Sequence, residues 1–199
     1  MSFLSEKTFR IGTGYDFHVF EEDRKLVLGG VTIPYPLGLK GHSDADALLH
    51  AVSDALLGAA GLKDIGSYFS DTDAKYRNVA SSLMLEKVYR LIRGEDFSVG
   101  NIDVTIITEQ PQIRPHVEAI KNNLARILHL QTDEIGIKAT SMEGRGCVGR
   151  GEGVAVQAVD EEGDVPSSHG MLTATLHSKK FAGLCVQAKS TEPSSGGRK

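Results

Sequence analysis

The sequence predicts a layered α+β fold in which helices lie against a sheet. Three observations carry that expectation. Four stretches read as strands (8–11, 99–107, 135–140 and 153–159), three stretches among them read as helices, and glycines and prolines stand at the junctions. At 199 residues the chain is long enough to bury one sizeable core.

Phe9 and Ile11 alternate with Thr8 and Arg10, which predicts a strand ending at the turn Gly12-Thr13-Gly14. Residues 26–33, with Gly29-Gly30 in the middle, predict a hairpin or a kinked strand pair, and Pro34, Pro36 and Gly38 punctuate a loop after it. The first helix is expected with Ser43 as its cap and Asp46 in the place a capping box gives to Glu or Gln. Leu48, Val52, Ala55, Leu56 and Ala59 form its apolar stripe, and Gly61 is its stop. A polar, irregular segment follows over 63–78. A second helix is expected over 81–93, stopped by Gly94, and a third from Pro115, which suits a first helical turn, to about His129. The last two strands flank a glycine-rich loop. Beyond Glu161 the composition shifts to Ser, Gly and Pro without a sustained period. Residues 1–161 are therefore expected to form the domain and 162–199 a disordered tail, in which only the apolar patch 181–186 stands out.

Composition narrows the partners. A net charge of -4 does not favour nucleic acid or an anionic membrane surface, and no apolar run approaches a membrane span. Two cysteines, Cys147 and Cys185, without a Cys-x-x-Cys pair, argue against a disulfide framework and fit a reducing compartment. The first ten residues lack the apolar centre of a secretory signal. The expected home is the cytoplasm, or an organelle if a targeting segment has been removed.

Two clusters could carry chemistry: Asp16-Phe17-His18, and His42-Ser43-Asp44-Ala45-Asp46 followed by His50. An Asp and a His two apart on an extended segment point to the same face and can reach one ion. A third ligand from a helix would leave one corner of a tetrahedron open, as in a catalytic zinc site. His50 sits in an otherwise apolar helix, where Asp46 or Asp54 could satisfy it in the core or orient its ring behind a metal. His42 falls just before the expected helix start, where free amides favour an anion such as phosphate. The acidic run 64–73 lacks the glycine and terminal glutamate of a calcium loop, leaving a solvated loop or a substrate lid. Gly144-Arg145-Gly146-Cys147-Val148-Gly149 has the glycine spacing of a dinucleotide fingerprint, but a strand rather than a helix follows, so that reading fails. Lys138, Glu143, Arg145 and Arg150 around this loop could bring a carboxylate to a metal and cations to a diphosphate.

Taken in order, Gly12-Thr13-Gly14-Tyr15-Asp16-Phe17-His18, the run from Gly41 through His50, Asp64-Ile65-Gly66, Asp71-Thr72-Asp73 and Gly149-Arg150-Gly151-Glu152-Gly153 resemble the 2-C-methyl-D-erythritol 2,4-cyclodiphosphate synthase family. The resemblance covers about residues 8–160. It implies a mixed four-stranded sheet with helices packed on one face, plus a small hairpin, assembled as a homotrimer with sites at subunit interfaces. The activity implied is a phosphorus-oxygen lyase acting on a cytidine diphosphate-type small molecule. It cyclises 4-diphosphocytidyl-2-C-methyl-D-erythritol 2-phosphate with release of CMP, in non-mevalonate isoprenoid synthesis.

The resemblance also assigns roles. Asp16, His18 and His50 match ligands of zinc or a similar divalent ion, and Glu143 matches the holder of magnesium or manganese on the diphosphate. His42, with Ser43 beside it, matches a phosphate-positioning histidine, and Phe17 lies within the first motif. Asp64, Ile65, Gly66, Phe69, Asp71, Thr72 and Asp73 match the loop over the erythritol part. Thr108, Gln112, Ile113, Arg114, Thr140, Ser141, Met142 and Glu143 match the cytidine side, supplied by an adjacent subunit. Ser141 replaces a common threonine credited with transition-state stabilisation, Ser70 a usual proline, and Gln112 a frequent lysine. Cys147 replaces a phenylalanine lining a cavity on the trimer axis, where Arg150 matches a diphosphate partner. The competing classes are a metal-dependent phosphohydrolase, since the same ions could activate water, and a non-catalytic metal- or phosphate-binding regulatory module.

Overall fold

The computed structural model describes residues 9–70 and 79–164. Its first element, β1 (Phe9–Glu21), runs straight through the expected Gly12-Thr13-Gly14 turn. The two glycines keep the strand ladder, facing Asp160 and Ala158 of β7 (Gly153–Asp164), and serve a different purpose. A Cβ at Gly12 or Gly14 would lie 1.9 Å from the carbonyl oxygens of Ala55 and Ala51 respectively. They are gaps that let helix α1 (Ala47–Ala59) lie directly on the strand.

The hairpin forms as expected, with β2 (Leu26–Leu28) antiparallel to β3 (Val31–Ile33) around Gly29 and Gly30, both at positive φ. A two-residue strand β4 (Gly38–Leu39) then pairs with the end of β1. After α1 come the one-turn helix α2 (Ile65–Tyr68), α3 (Ser81–Gly94) and β5 (Phe97–Ile107). A 3-10 turn over Arg114–His116 precedes α4 (Val117–Leu128), so the third expected helix starts tighter than an α-helix. β6 (Ile135–Thr140), α5 (Gly146–Gly149) and β7 complete the domain. β7 extends three residues beyond the expected domain end at 161; the rest of the expected tail, with the patch 181–186, lies outside the described residues.

The main sheet has the order β4-β1-β7-β5-β6. It is mixed, with only β5 and β6 parallel. The sheet has five strands where four were expected, the additional one being the short β4. Val104, Ile106, Val154 and Val156 on one face pack with α1, α3 and α4 through Leu56, Val88 and Leu124. On the other face of β1, Ile11 is 71% and Tyr15 63% exposed, and Phe9 and Val19 are exposed as well. No helix among the described residues is long and apolar enough to cross a membrane.

The expected stripe of α1 is buried, but so is nearly the whole helix. The residues it leaves less buried, His50, Asp54 and Gly58, are four apart and form one narrow face. That single face carries the helix's contribution to the site.

Candidate active site

Asp16 and His18 point to the same side of β1, and α1 brings His50 to them. Asp16 Oδ2 lies 2.9 Å from His18 Nε2 and 3.0 Å from His50 Nδ1, and the two ring nitrogens are 3.3 Å apart. Three ligand atoms at the corners of a tetrahedron around zinc stand about 3.3 Å apart, so this donor set has the size and chemistry for a divalent cation. His18 Nδ1 is 2.6 Å from the Lys40 carbonyl oxygen, which takes its proton and leaves Nε2 free to ligate. Burial alone would raise the Asp16 carboxyl, but the His18 and His50 imidazoles beside it outweigh that and hold the group well below the usual carboxylate range. Burial lowers His18, and Asp16 with the Lys40 carbonyl more than reverse that, so its net shift is upward.

The cluster opens on a cavity of about 240 Å³ lined by His18, His42, His50, Ile65, Gly66 and Phe69, among others. A second cavity, about 770 Å³, lies at the β5–β6 edge between Thr108, Gln112, Ile113, Arg114, Thr140 and Ser141. The two share no lining residue. β1 and β6 are three strand spacings apart, about 14 Å, so the chain keeps the Asp16-His18-His50 cluster and the second cavity well separated.

A model of the YgbB family matches residues 9–160. The chain belongs to the YgbB family. It is 51% identical over 150 residues to the 2-C-methyl-D-erythritol 2,4-cyclodiphosphate synthase of Trichlorobacter lovleyi, covering 75% of this chain and 96% of that one. The synthase of Chlorobium phaeobacteroides is also 51% identical, over 75% of this chain and 94% of the relative. Among solved structures, the bifunctional IspDF from Campylobacter jejuni aligns with a TM-score of 0.77 and 40% identity over 80% of this chain; the chain spans only 43% of that protein. A 2C-methyl-D-erythritol-2,4-cyclodiphosphate synthase with bound CDP aligns with a TM-score of 0.70 and 38% identity, over 76% of this chain and 98% of the other. Membership of the YgbB family meets the expectation of an enzyme of the lyase class.

Within this YgbB domain several local expectations change. Asp46, not Ser43, caps α1, and its carboxylate accepts from Leu48, Leu49, Gly29 and Gly30 N–H. The first-turn amides are thus already occupied by a fully buried carboxylate, and the helix begins five residues after His42. The α1 amides therefore offer no free donors to an anion, and His42 stands on the wall of the cavity beside the cluster. Neither Asp46 nor Asp54 orients His50. Asp54 accepts from Ile65 N–H at 2.7 Å and ties α2 to α1, while His50 Nε2 is 3.0 Å from Ser81 Oγ.

Ser43 is nearly buried and receives Ala45 N–H. Phe17 lies on the opposite face of β1, its N–H bonded to Asp16 Oδ1. Asp64 is exposed and caps α2 through Ser67 N–H. Asp71, Thr72 and Asp73 lie outside the described residues. Glu143, at positive φ, receives the Ser141 hydroxyl at 2.9 Å, and it is not part of the cation cluster. Met142 N–H donates to Glu109, whose Oε1 also receives Gly144 N–H and so fixes this loop against the end of β5. Cys147 is exposed on α5, and Arg150 beyond it pairs with Glu152 at 2.6 Å.

Four groups escaped the sequence reading: Arg24, which braces the Gly41 and Ser43 carbonyls beside His42, and Asp44, Ser81 and Glu109. Asp44 stood inside a noted cluster, and Ser81 read only as a helix start. Arg24 and Glu109 carry no local signal at all.

Proposed function

We propose that this chain, as a homotrimer, converts 4-diphosphocytidyl-2-C-methyl-D-erythritol 2-phosphate to 2-C-methyl-D-erythritol 2,4-cyclodiphosphate and CMP. The observation that carries the reading is the convergence of Asp16, His18 and His50 on one point at the mouth of a cavity, in a chain of this family. In the reaction an oxygen of the 2-phosphate bonds to the β-phosphorus, the bond from that phosphorus to the bridging oxygen breaks, and CMP leaves with the electron pair. Substrate supplies its own nucleophile, so the protein needs to bend the chain, hold both ends and offset charge.

Asp16, His18 and His50 would hold zinc or a similar ion, and Glu143 would hold magnesium or manganese against the diphosphate. Such ions act as Lewis acids that withdraw charge from phosphoryl oxygens. His42 and Ser43 bind phosphate beside the metal centre, and Ile65, Gly66 and Phe69 form an apolar wall for the erythritol carbons. Thr108, Gln112, Ile113, Arg114, Thr140 and Ser141 receive the cytidine end. The separation of the two cavities within one chain, and the exposed apolar face of β1, support a composite site in which an adjacent subunit supplies the nucleotide side. A CDP-bound relative supports the ligand class. A cytoplasmic location is part of the same reading.

The test is incubation with the cytidine substrate and phosphorus NMR of the products, with and without chelator. Cyclic diphosphate and CMP in equal amounts, lost on chelation and regained with zinc and magnesium, are the expected result. Free inorganic phosphate would indicate a hydrolase instead. Ligand binding without turnover would indicate a regulatory module.

A further inference from the structure

Helix α3 begins at Ser81 without a cap of its own, because Ala80 at the cap position has no side chain that can accept. Asp44, from the loop ahead of α1, does that work across space. Its two carboxylate oxygens lie 3.2 and 3.1 Å from Ser81 N–H, and Oδ1 lies 2.5 Å from Ser81 Oγ. The same Oγ is 3.0 Å from His50 Nε2, and Ser43 Oγ stands 3.4 Å from it on another side.

The direction of these bonds follows from donor chemistry. A carboxylate only accepts, so the Ser81 hydroxyl gives its proton to Asp44 and turns a lone pair toward His50. His50 then donates from Nε2–H, which puts the lone pair of the neutral ring on Nδ1. Nδ1 is the atom that faces Asp16 Oδ2 and His18 Nε2. We propose that Ser81 and Asp44 are positioning residues of the metal centre, and that the series Asp44–Ser81–His50 fixes both the ring angle and the tautomer in which His50 can ligate a divalent cation. This rests on the reading that Asp16, His18 and His50 hold such an ion.

A purely structural alternative is that Asp44 merely caps α3, and the test separates the two. Full-length parent, Ser81→Ala, Ser81→Thr, Asp44→Ala and the double variant Asp44→Ala with Ala80→Ser are compared. The double variant gives α3 a cap of its own while leaving the Ser81 hydroxyl without its acceptor. The readouts are the Zn²⁺ dissociation constant against a chromophoric competitor, the visible spectrum with Co²⁺ alone, and the Tm of the metal-free protein.

Ser81→Ala is expected to bind Zn²⁺ about 10- to 100-fold more weakly, with altered Co²⁺ bands, and Ser81→Thr to keep the parent affinity. The double variant is expected to regain the Tm lost in Asp44→Ala but not its affinity. Parent-like affinity and spectrum in Ser81→Ala would overturn the proposal. So would recovery of affinity together with Tm in the double variant, which also carries the test alone if Ser81→Ala does not fold. Failure of the parent itself to bind either ion would overturn the metal reading, and the proposal with it.

Discussion

Removing the carboxyl of Asp160 is expected to stabilise this protein strongly at neutral pH and hardly at all in acid. Asp160 lies on the covered face of β7, 1% exposed, two residues before the equally buried Glu162. None of their four carboxyl oxygens has a hydrogen-bond partner among the described residues. Burial pushes Asp160 from 3.8 up to about 8, with the neighbouring Glu162 charge adding to it; burial pushes Glu162 up to about 7 while Arg10 opposes. A carboxyl whose folded pKa is raised binds its proton more tightly in the folded state. Its favourable contribution is therefore complete below about 3.8 and is lost as pH rises toward about 8. At 1.36 kcal/mol per unit, the loss from Asp160 by pH 7 is on the order of 4 kcal/mol. Asp160→Val continues the face already made by Val154 and Val156. Denaturant unfolding at pH 4, 5.5, 7 and 8.5 should show the variant-minus-parent stability growing by about 4 kcal/mol between pH 4 and 7. At pH 7 that corresponds to a Tm higher by on the order of 10 °C. A difference that stays constant across this range, or a variant that loses stability as pH rises, would refute the reasoning.

Gly14→Ala drives a Cβ into the Ala51 carbonyl and must push α1 off β1; differential scanning calorimetry should register a loss of about 3 kcal/mol or more, and Zn²⁺ titration a weakened site because His50 moves with the helix. Asp46→Ala strands four backbone N–H donors, so chemical denaturation should report a loss on the order of 4 kcal/mol, part of it retained in Asp46→Asn. Ile11→Lys combined with Tyr15→Lys charges the exposed face of β1; sedimentation should give a monomer and the cyclisation assay should fall to background, whereas an active trimer would count against subunit association through this face.

Much of the candidate site was legible because spacing within one element dictates facing. Asp16 and His18 two apart on a strand, and His50 in an apolar helix, carry their orientation in their sequence positions. The residues of the second cavity at 108–114 and 140–141, proposed above for the nucleotide side, were readable only through the family resemblance, since nothing local marks them as cavity walls. The glycines at 12 and 14 were misread because a glycine pair signals a turn and a helix contact equally well. The cap of α1 was misplaced by three residues because Ser43 and Asp46 are both good caps. The choice fell to Asp46 when the hairpin delivered two more amides, from Gly29 and Gly30, to its carboxylate.

By itself the sequence determined the alternation of strands and helices, the apolar stripes, the three convergent side chains of the candidate site and the family to which the chain belongs, all of which depend on period or on short ordered motifs. Only the tertiary structure decided what stands behind those side chains: Lys40 behind His18, Ser81 and Asp44 behind His50, Arg24 behind the His42 loop. It also decided that two acidic side chains are enclosed with no hydrogen-bond partner among the described residues. Such pairings join residues tens of positions apart, and their existence depends on how closely one element packs on another, which no local pattern encodes.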